Sequence, residues 1–155
     1  MQKTIAFIPV RGGSKSIPKK NIIDICGKPL IYWSLRSAQK CSKIDEIIVA
    51  TDSKDIKEIV NSFEFNKVKV YDRDPNNAKD ISSTEDVMIE YINNNKLNGE
   101  DTFILIQATN PFLRSEDLDQ ALKQYNGSNS IISVVEKQFF IWLTSKSIIC
   151  YLICL

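Results

Sequence analysis

A glycine-rich, cationic stretch near the N-terminus contains the residues best suited to chemistry. It spans residues 11–21 and reads RGGSKSIPKKN, with two adjacent glycines, four cations and no acidic residue. Glycine lets the backbone turn tightly and direct N–H groups at an anion, and the cations neutralise the charge of that anion. The composition therefore predicts a loop that binds a polyphosphate. A basic surface turn without a ligand is the alternative that composition alone leaves open.

The spacing of this loop fits neither of two common phosphate-binding patterns, G-x-x-x-x-G-K-S/T and G-x-G-x-x-G. Histidine is absent from the chain, which excludes His-based triads, His metal sites and His proton shuttles. The 20 Lys and Arg residues balance the 19 Asp and Glu residues. Composition therefore predicts no general field for nucleic acid or an acidic membrane.

The loop must be positioned by the elements around it, and the 155 residues predict one domain of alternating strands and helices. Short apolar runs predict strands, and apolar residues at helical spacing predict helices. This alternation predicts an α/β fold, a three-layer, mostly parallel, Rossmann-like sheet with helices on both faces. The predicted strands are 5–10, 44–51, 68–71, 102–108 and 130–135, and the predicted helices begin near residue 28 and span 54–63, 83–94 and 115–125.

Ligands of such sheets bind outside the carboxyl ends of the strands. The polar loops after the first, third and fourth strands, with the turn at Asp52, are therefore expected to meet along one edge. Asp52 or Ser53 is expected to cap the helix at 54–63. Asp52 could therefore be a helix cap without any role in ligand binding. Ser115 is expected to cap the helix at 115–125.

The pattern P-x-R-G-G-S-K-x-I-P-x-K-N at residues 9–21 resembles the nucleotide-binding loop of the acylneuraminate cytidylyltransferases, or CMP-sialic acid synthetases. The related enzymes for 3-deoxy-manno-octulosonate carry a different loop. Further segments resemble the family in order and at its spacing, and the resemblance covers nearly all of residues 3–142. These segments are residues 50–53, 73–84, 105–111 and 133–135.

The resemblance implies a nucleotidyltransferase that transfers CMP from CTP to a nine-carbon, sialic-acid-like 2-keto sugar acid and releases pyrophosphate. It places Arg11, Lys15 and Lys20 on the triphosphate as the catalytic cations. The backbone amides and side chains beside them, and the residue that closes the loop, are also implied in nucleotide binding. These residues are Gly12, Gly13, Ser14 and Asn21. Lys19 is interpreted as a solvated neighbour.

The family pattern also implies that Arg73 and the region of Ser82 and Ser83 contact the cytidine, and that Gln107 faces the sugar acid. Each has a structural alternative. An ion pair between Arg73 and the adjacent acids would give the same sequence, and the two serines could be the N-cap pair of their helix. Gln107 ends an otherwise apolar strand, where a buried amide would need partners.

The resemblance implies Mg²⁺ as cofactor and a homodimer, but the aspartate pair and the dimer segment of the family are absent from this sequence. Residues 1–143 are expected to form the N-terminal part of the family fold. Residues 144–155 form an apolar tail, which we interpret as a truncated or frameshifted end. A non-catalytic nucleotide-binding fragment or pseudoenzyme is therefore the alternative function, and another nucleotide base is a third. Residues 110–114 resemble enzymes acting on legionaminic or pseudaminic acid, so the sugar acid stays open.

The remaining sequence signals concern location. The cysteines form neither a C-x-x-C pair nor a zinc-like set, and they are interpreted as reduced thiols of a cytoplasmic protein. They are Cys26, Cys41, Cys150 and Cys154. The N-terminus lacks the apolar core of a signal peptide, and the tail is too short to span a membrane.

Overall fold

The computed structural model describes residues 2–13, 17–74, 83–97, 99–127 and 130–134. In chain order the elements are β1 (Thr4–Pro9), a 3₁₀ turn (Lys20–Ile22), β2 (Asp24–Ile25), β3 (Lys28–Pro29), α1 (Leu30–Lys40), β4 (Glu46–Thr51), α2 (Lys54–Asn61), β5 (Val68–Asp72), α3 (Thr84–Asn95), β6 (Thr102–Leu105) and α4 (Ser115–Gln124). Four strands form one sheet in the order β5-β4-β1-β6, with every neighbouring pair parallel. The predicted parallel α/β fold is confirmed.

Alternating side chains of the sheet pack against helices on both faces. Ala6 and Ile8 of β1 belong to a core that α1, α2 and α4 cover. The alternate residues Ile5 and Phe7 belong to a second core, which α3 covers with Val87 and other residues. Because both faces of β1 and β4 are buried, these strands consist almost entirely of apolar residues.

Helix α1 begins directly after Pro29, as its sequence predicts, because proline suits a helix start. Its apolar positions at helical spacing are all buried, and they are Leu30, Ile31, Leu35 and Ala38. The short antiparallel hairpin of β2 and β3 was not predicted. Its turn residues Cys26 and Gly27 both have positive φ, at 54° and 80°. Hairpin turns of this kind usually contain Asn-Gly or Asp-Gly, and cysteine gave no such signal.

The predicted fifth strand at 130–135 is wrong for its described part. Residues 130–134 form no strand, and Ile132 and Val134 are 80% and 84% exposed. Among the described residues no strand pairs with this segment, so apolar composition alone did not place it in the sheet. Val135 lies outside the described residues, as does the predicted boundary at residue 143.

One predicted helix cap is confirmed and one differs. Ser53, one of the two candidates, caps α2, since its side chain accepts a hydrogen bond from the Ile56 N–H. Helix α4 is capped at Arg114 instead of Ser115. The Arg114 backbone N–H donates to the Asp117 carboxylate over 3.2 Å, and its guanidinium pairs with the same carboxylate at 2.8 Å. In the described part of the chain, no helix combines the length and apolar character needed to cross a bilayer.

Candidate functional site

The loop after β1 lies against the turn that follows β4. The Val10 N–H donates to the Ala50 carbonyl over 2.8 Å, and the Gly12 N–H donates to Asp52 Oδ1 over 2.9 Å. A Cβ atom at Gly12 would come within 2.7 Å of the Ser53 Cβ. Gly12 is therefore needed for close approach. Its N–H donates to Asp52, and the predicted contact of this amide with phosphate stays a prediction.

The far end of the same loop closes on its beginning. Asn21 lies in the 3₁₀ turn and is only 8% exposed. Its Nδ2 donates to the Arg11 carbonyl over 3.2 Å. Asn21 thus fixes the backbone at the loop entrance, which is consistent with its place at the end of the motif. Lys20 begins the same turn and is partly exposed.

A recess of about 120 Å³ lies between this loop and the start of α2. Lys19 and Asp55 form an ion pair at 2.7 Å across its rim, and both side chains are largely exposed. Their hydrogen bond raises the pKa of Lys19 and lowers the pKa of Asp55. Lys19 is therefore a solvent-facing neighbour of the loop, as interpreted from the sequence. The recess is lined by Arg11, Gly12, Lys19, Asn21, Ile22, Ser53, Asp55 and Ile56.

Arg73 follows β5 and brings a second arginine to the loop. Its backbone N–H donates to the Thr51 carbonyl over 3.3 Å. Partial burial lowers the pKa of the Arg73 guanidinium, Asp52 and Glu90 oppose that shift, and the positive charge of Arg11 adds to it. The negative charges that act on Arg73 thus come from Asp52, in the turn after β4, and from Glu90 of α3. Its sequence neighbour Asp72 instead pairs with Lys57.

Glu90 of α3 anchors the backbone that carries Arg73. Its carboxylate accepts hydrogen bonds from the Tyr71 hydroxyl over 2.8 Å and from the Asp74 N–H over 3.0 Å. The Asn94 amide donates to the same Tyr71 hydroxyl over 2.8 Å. Burial is the main reason that the pKa of Tyr71 is raised. Helix α3 therefore holds the start of the loop after β5.

Ser83 serves as the N-cap of α3. Its hydroxyl accepts from the Asp86 N–H over 3.1 Å, and its own N–H donates to the Asp86 carboxylate over 2.9 Å. This capping box satisfies two backbone groups at the helix start. The structural alternative for Ser83 is thus realised, and its cytidine contact stays a prediction. Ser82 lies outside the described residues, as do Ser14 and Lys15 of the glycine-rich loop.

Gln107 lies two residues beyond the end of β6, in the loop on the other side of β1. Its side chain is exposed, so the expectation of a buried amide is wrong; its neighbours Ile106 and Ala108 are the buried ones. The buried hydroxyl of Ser34 on α1 donates to the Gln107 and Asn110 carbonyls over 3.3 and 3.2 Å. Helix α1 therefore holds the backbone of this loop through the Ser34 side chain and leaves the Gln107 side chain accessible.

The structure thus brings Arg11, Gly12, Asn21 and Arg73 together and places Gln107 across β1 from Arg73. Sequence reasoning missed the supporting role of Glu90 and the contact of Asp52 with the loop. The sequence placed Asp52 directly after a strand and Glu90 on a helix, but no local pattern indicates which residues they contact. Within the ranges that the structure describes, no group of three or more Asp, Glu, Cys or His side chains could hold a metal ion.

Solved structures define the class of this fold. The chain aligns with CMP:2-keto-3-deoxy-manno-octonic acid synthetase complexed with CTP at a TM-score of 0.66 and 29% identity, covering 79% of this chain and 46% of the other. A 4-diphosphocytidyl-2C-methyl-D-erythritol synthase aligns at a TM-score of 0.69 over 96% of this chain and 66% of the other. At 18% identity this second likeness concerns the fold alone. The sheet and its helices have the nucleotidyltransferase fold.

The family follows from sequence comparison. The cytidylyltransferase family model matches residues 5–140, and the chain belongs to this family. It is 39% identical over 144 residues to an N-acylneuraminate cytidylyltransferase of Oncorhynchus mykiss, covering 91% of this chain and 32% of that protein. It is 32% identical over 141 residues to a pseudaminic acid cytidylyltransferase of Campylobacter jejuni, covering 88% of this chain and 60% of that protein. The resemblance inferred from the motifs is confirmed, and the chain spans only part of the length of these relatives.

Proposed function

We propose that this chain binds CTP at the carboxyl edge of its sheet and serves transfer of CMP to a sialic-acid-like 2-keto sugar acid, with release of pyrophosphate. One observation carries the proposal. Arg11 and Arg73 come from different loops, and both loops leave the sheet beside the end of β4, where the Gly12 N–H donates to Asp52 and the Arg73 N–H donates to the Thr51 carbonyl. An anion bound between two like charges relieves their repulsion, and a triphosphate is such an anion.

The reaction needs charge stabilisation more than covalent chemistry. The anomeric hydroxyl of the sugar attacks the α-phosphorus, and negative charge builds on the α-phosphate oxygens and on the leaving pyrophosphate. Arg11 can form two parallel hydrogen bonds to phosphate, while Lys15 and Lys20 supply point charges. The amide of Gly13 and the hydroxyl of Ser14 are proposed as additional donors. Mg²⁺ stays a prediction from the resemblance, and no step here depends on it.

The two substrates are proposed to meet above β1. The sheet order β5-β4-β1-β6 changes direction between β1 and β6, and open α/β sheets bind ligands in the crevice at such a point. Gln107 lies exposed at this crevice, which supports its proposed contact with the sugar acid. The names of the curated relatives, N-acylneuraminate and pseudaminic acid cytidylyltransferase, support the substrate class.

A cytoplasmic location is part of the proposal. Cys26 is exposed and Cys41 is buried, and both are free thiols. Free thiols are typical of a reducing compartment. The Cys41 thiol donates to Asp119 over 3.1 Å, and burial raises its pKa, so it is a structural residue.

Thermal unfolding with CTP, UTP, ATP and GTP tests the proposal, because a ligand that binds the native state raises Tm. At a hundredfold excess over Kd, CTP is expected to raise Tm by roughly 5–10 °C. Arg73→Ala should reduce this shift. Arg36→Ala, which removes an exposed arginine stacked on Trp33 of α1, should not. A clear unfolding transition that is indifferent to CTP would contradict the assignment.

Pyrophosphate release separates catalysis from binding alone. The chain is incubated with CTP, Mg²⁺ and either N-acetylneuraminic acid, legionaminic acid or pseudaminic acid. Release that depends on one sugar acid supports the transferase and identifies its acceptor. CTP binding without release from any of the three supports the alternative of a non-catalytic nucleotide-binding chain.

A further inference from the structure

We propose that Asp52 is a positioning residue, whose carboxylate holds the glycine-rich loop at Gly12 and so sets Arg11 and Gly13 for the triphosphate. This inference rests on the proposed function and assigns Asp52 a role in the same site. The contact is specific, because it joins residues 40 positions apart through one hydrogen bond of 2.9 Å.

The side chain of Asp52 is available for this contact because the neighbouring residue caps the helix. Ser53 accepts the hydrogen bond from Ile56 at the start of α2. Asp52 is therefore released from the capping role that its position would otherwise suggest, and its Oδ1 accepts from Gly12 instead. A turn of two polar residues thus supports two structures, a helix and a loop.

The contacts at Gly12 extend the pairing of β1 and β4 beyond the sheet. The last backbone bond runs from the Val10 N–H to Ala50, and the next contact is that of Gly12 with Asp52. Gly12 also approaches Ser53 so closely that no side chain fits between them. At Gly13, by contrast, an added Cβ would meet nothing within 4 Å. The close packing against the turn after β4 is therefore confined to Gly12.

The charge of Asp52 argues for position over simple electrostatics. A carboxylate beside a site for a triphosphate repels the ligand, so its negative charge by itself weakens binding. Part of that charge acts on Arg73. A benefit to nucleotide binding must therefore come from the hydrogen bond that orders the loop before the ligand arrives. An uncharged side chain that accepts the same bond should preserve that benefit.

Asp52→Asn and Asp52→Ala separate the hydrogen bond from the charge. The asparagine variant keeps an acceptor oxygen, and its Kd for CTP should stay within about threefold of the unaltered chain. The alanine variant loses the acceptor, and its Kd should rise about tenfold, the effect of one charge-assisted hydrogen bond. Asp55→Ala is the matched control, since it removes a carboxylate of the same recess that bonds Lys19 and not Gly12. Calorimetric titration with CTP measures all four chains.

The amide resonance of Gly12 provides a readout that does not depend on nucleotide. In ¹⁵N–¹H spectra it should shift upfield when its acceptor is lost in Asp52→Ala, and it should stay near its original position in Asp52→Asn and Asp55→Ala. Equal CTP affinity of Asp52→Ala and the unaltered chain would overturn this inference and leave the proposed function intact. Equal losses in the alanine and asparagine variants would also overturn it, because charge would then be decisive. Failure of the unaltered chain to bind CTP would overturn the proposed function and this inference together.

Discussion

The loops that follow β1 and β6 leave neighbouring parallel strands at the same edge of the sheet, but they are held in different ways. The β1 loop is held by the Asp52 carboxylate and by the Asn21 amide. The β6 loop is held by hydroxyls of α1, where Ser34 bonds two carbonyls and Ser37 donates to the Leu113 carbonyl over 2.6 Å. One loop thus depends on a charged residue of a strand turn, and the other on neutral groups of a helix.

This difference corresponds to what each loop exposes. The β1 loop approaches its support through Gly12, so its backbone is held directly after its first cation, Arg11. In the β6 loop, backbone carbonyls accept hydrogen bonds from α1, and side chains such as Gln107 are exposed. Under the proposed function, the first loop binds phosphate and needs an ordered backbone, whereas the second contacts the sugar acid and needs accessible side chains. The comparison predicts that backbone changes dominate in the first loop.

The largest effect is expected from Gly12→Ala. The new Cβ would overlap the Ser53 Cβ, and the loop or the turn must move. We expect a destabilisation of about 1–3 kcal/mol and loss of the CTP-dependent Tm shift. Gly13→Ala is the control, since its Cβ meets nothing within 4 Å and should leave Tm nearly unchanged. Equal behaviour of the two variants in thermal unfolding would contradict the close approach at Gly12.

Ser34→Ala should weaken the support of the β6 loop. The variant removes a buried hydroxyl that donates to the carbonyls of Gln107 and Asn110, each of which keeps one backbone donor. The expected cost is about 1 kcal/mol in the free energy of unfolding, measured with denaturant. Because the β1 loop is unaffected, the CTP-dependent Tm shift should persist. Its loss would show that the two loops are not independent.

Glu46→Gln tests a site at the opposite edge of the sheet, and its expected effect is smaller. The hydrogen bond from Lys3, with further help from Lys69, lowers the pKa of Glu46. A lowered folded-state pKa stabilises the protein above the unfolded value of about 4.3, and this stabilisation is lost as pH falls through the folded value. The Tm difference between the two chains should therefore be largest near neutral pH, and it should disappear as the pH falls below about 4. The CTP-dependent shift should be the same in both chains.

Lys19→Ala should have the smallest effect. The Lys19–Asp55 pair is largely exposed, so water and salt screen it. We expect no measurable change in Tm and less than a twofold change in the Kd for CTP, determined by titration. A larger loss of affinity would mean that Lys19 contacts the nucleotide and belongs among the nucleotide-binding cations of the β1 loop.

The fold was predictable where local patterns are strong. The apolar run of β1 and the helical spacing of Leu30, Leu35 and Ala38 both predicted their elements correctly. The hairpin turn at Cys26 was missed because its residues are unusual for the turn they form. The strand predicted at 130–135 failed because its apolar residues have no described partner strand. A strand requires a neighbour, which composition does not provide.

The candidate site was predictable only in part for a related reason. The glycines and cations of the β1 loop lie together in the sequence, so their spacing could be interpreted. Gly12 and Asp52 are far apart in the chain, and only the parallel pairing of β1 and β4 brings them together. Glu90 likewise bonds Tyr71 from an unrelated helix. The sugar contact of Gln107 stays a prediction from its motif, and its burial was misjudged because the strand ends two residues earlier.

The position of β1 in the sheet also has a consequence for synthesis on the ribosome. Among the described strands of the sheet this one is translated before the others, yet it pairs with β4 on one side and with β6 on the other. The edge of β1 that faces β6 has no strand to pair with until Thr102–Leu105 has been translated and has left the exit tunnel. At about 5–20 residues per second this interval lasts on the order of 5–20 s. Throughout that time the buried run of Ile5, Phe7 and Ile8 lies in an unfinished sheet, so the nascent chain is most exposed to chaperones and to misassembly before its last described strand is complete.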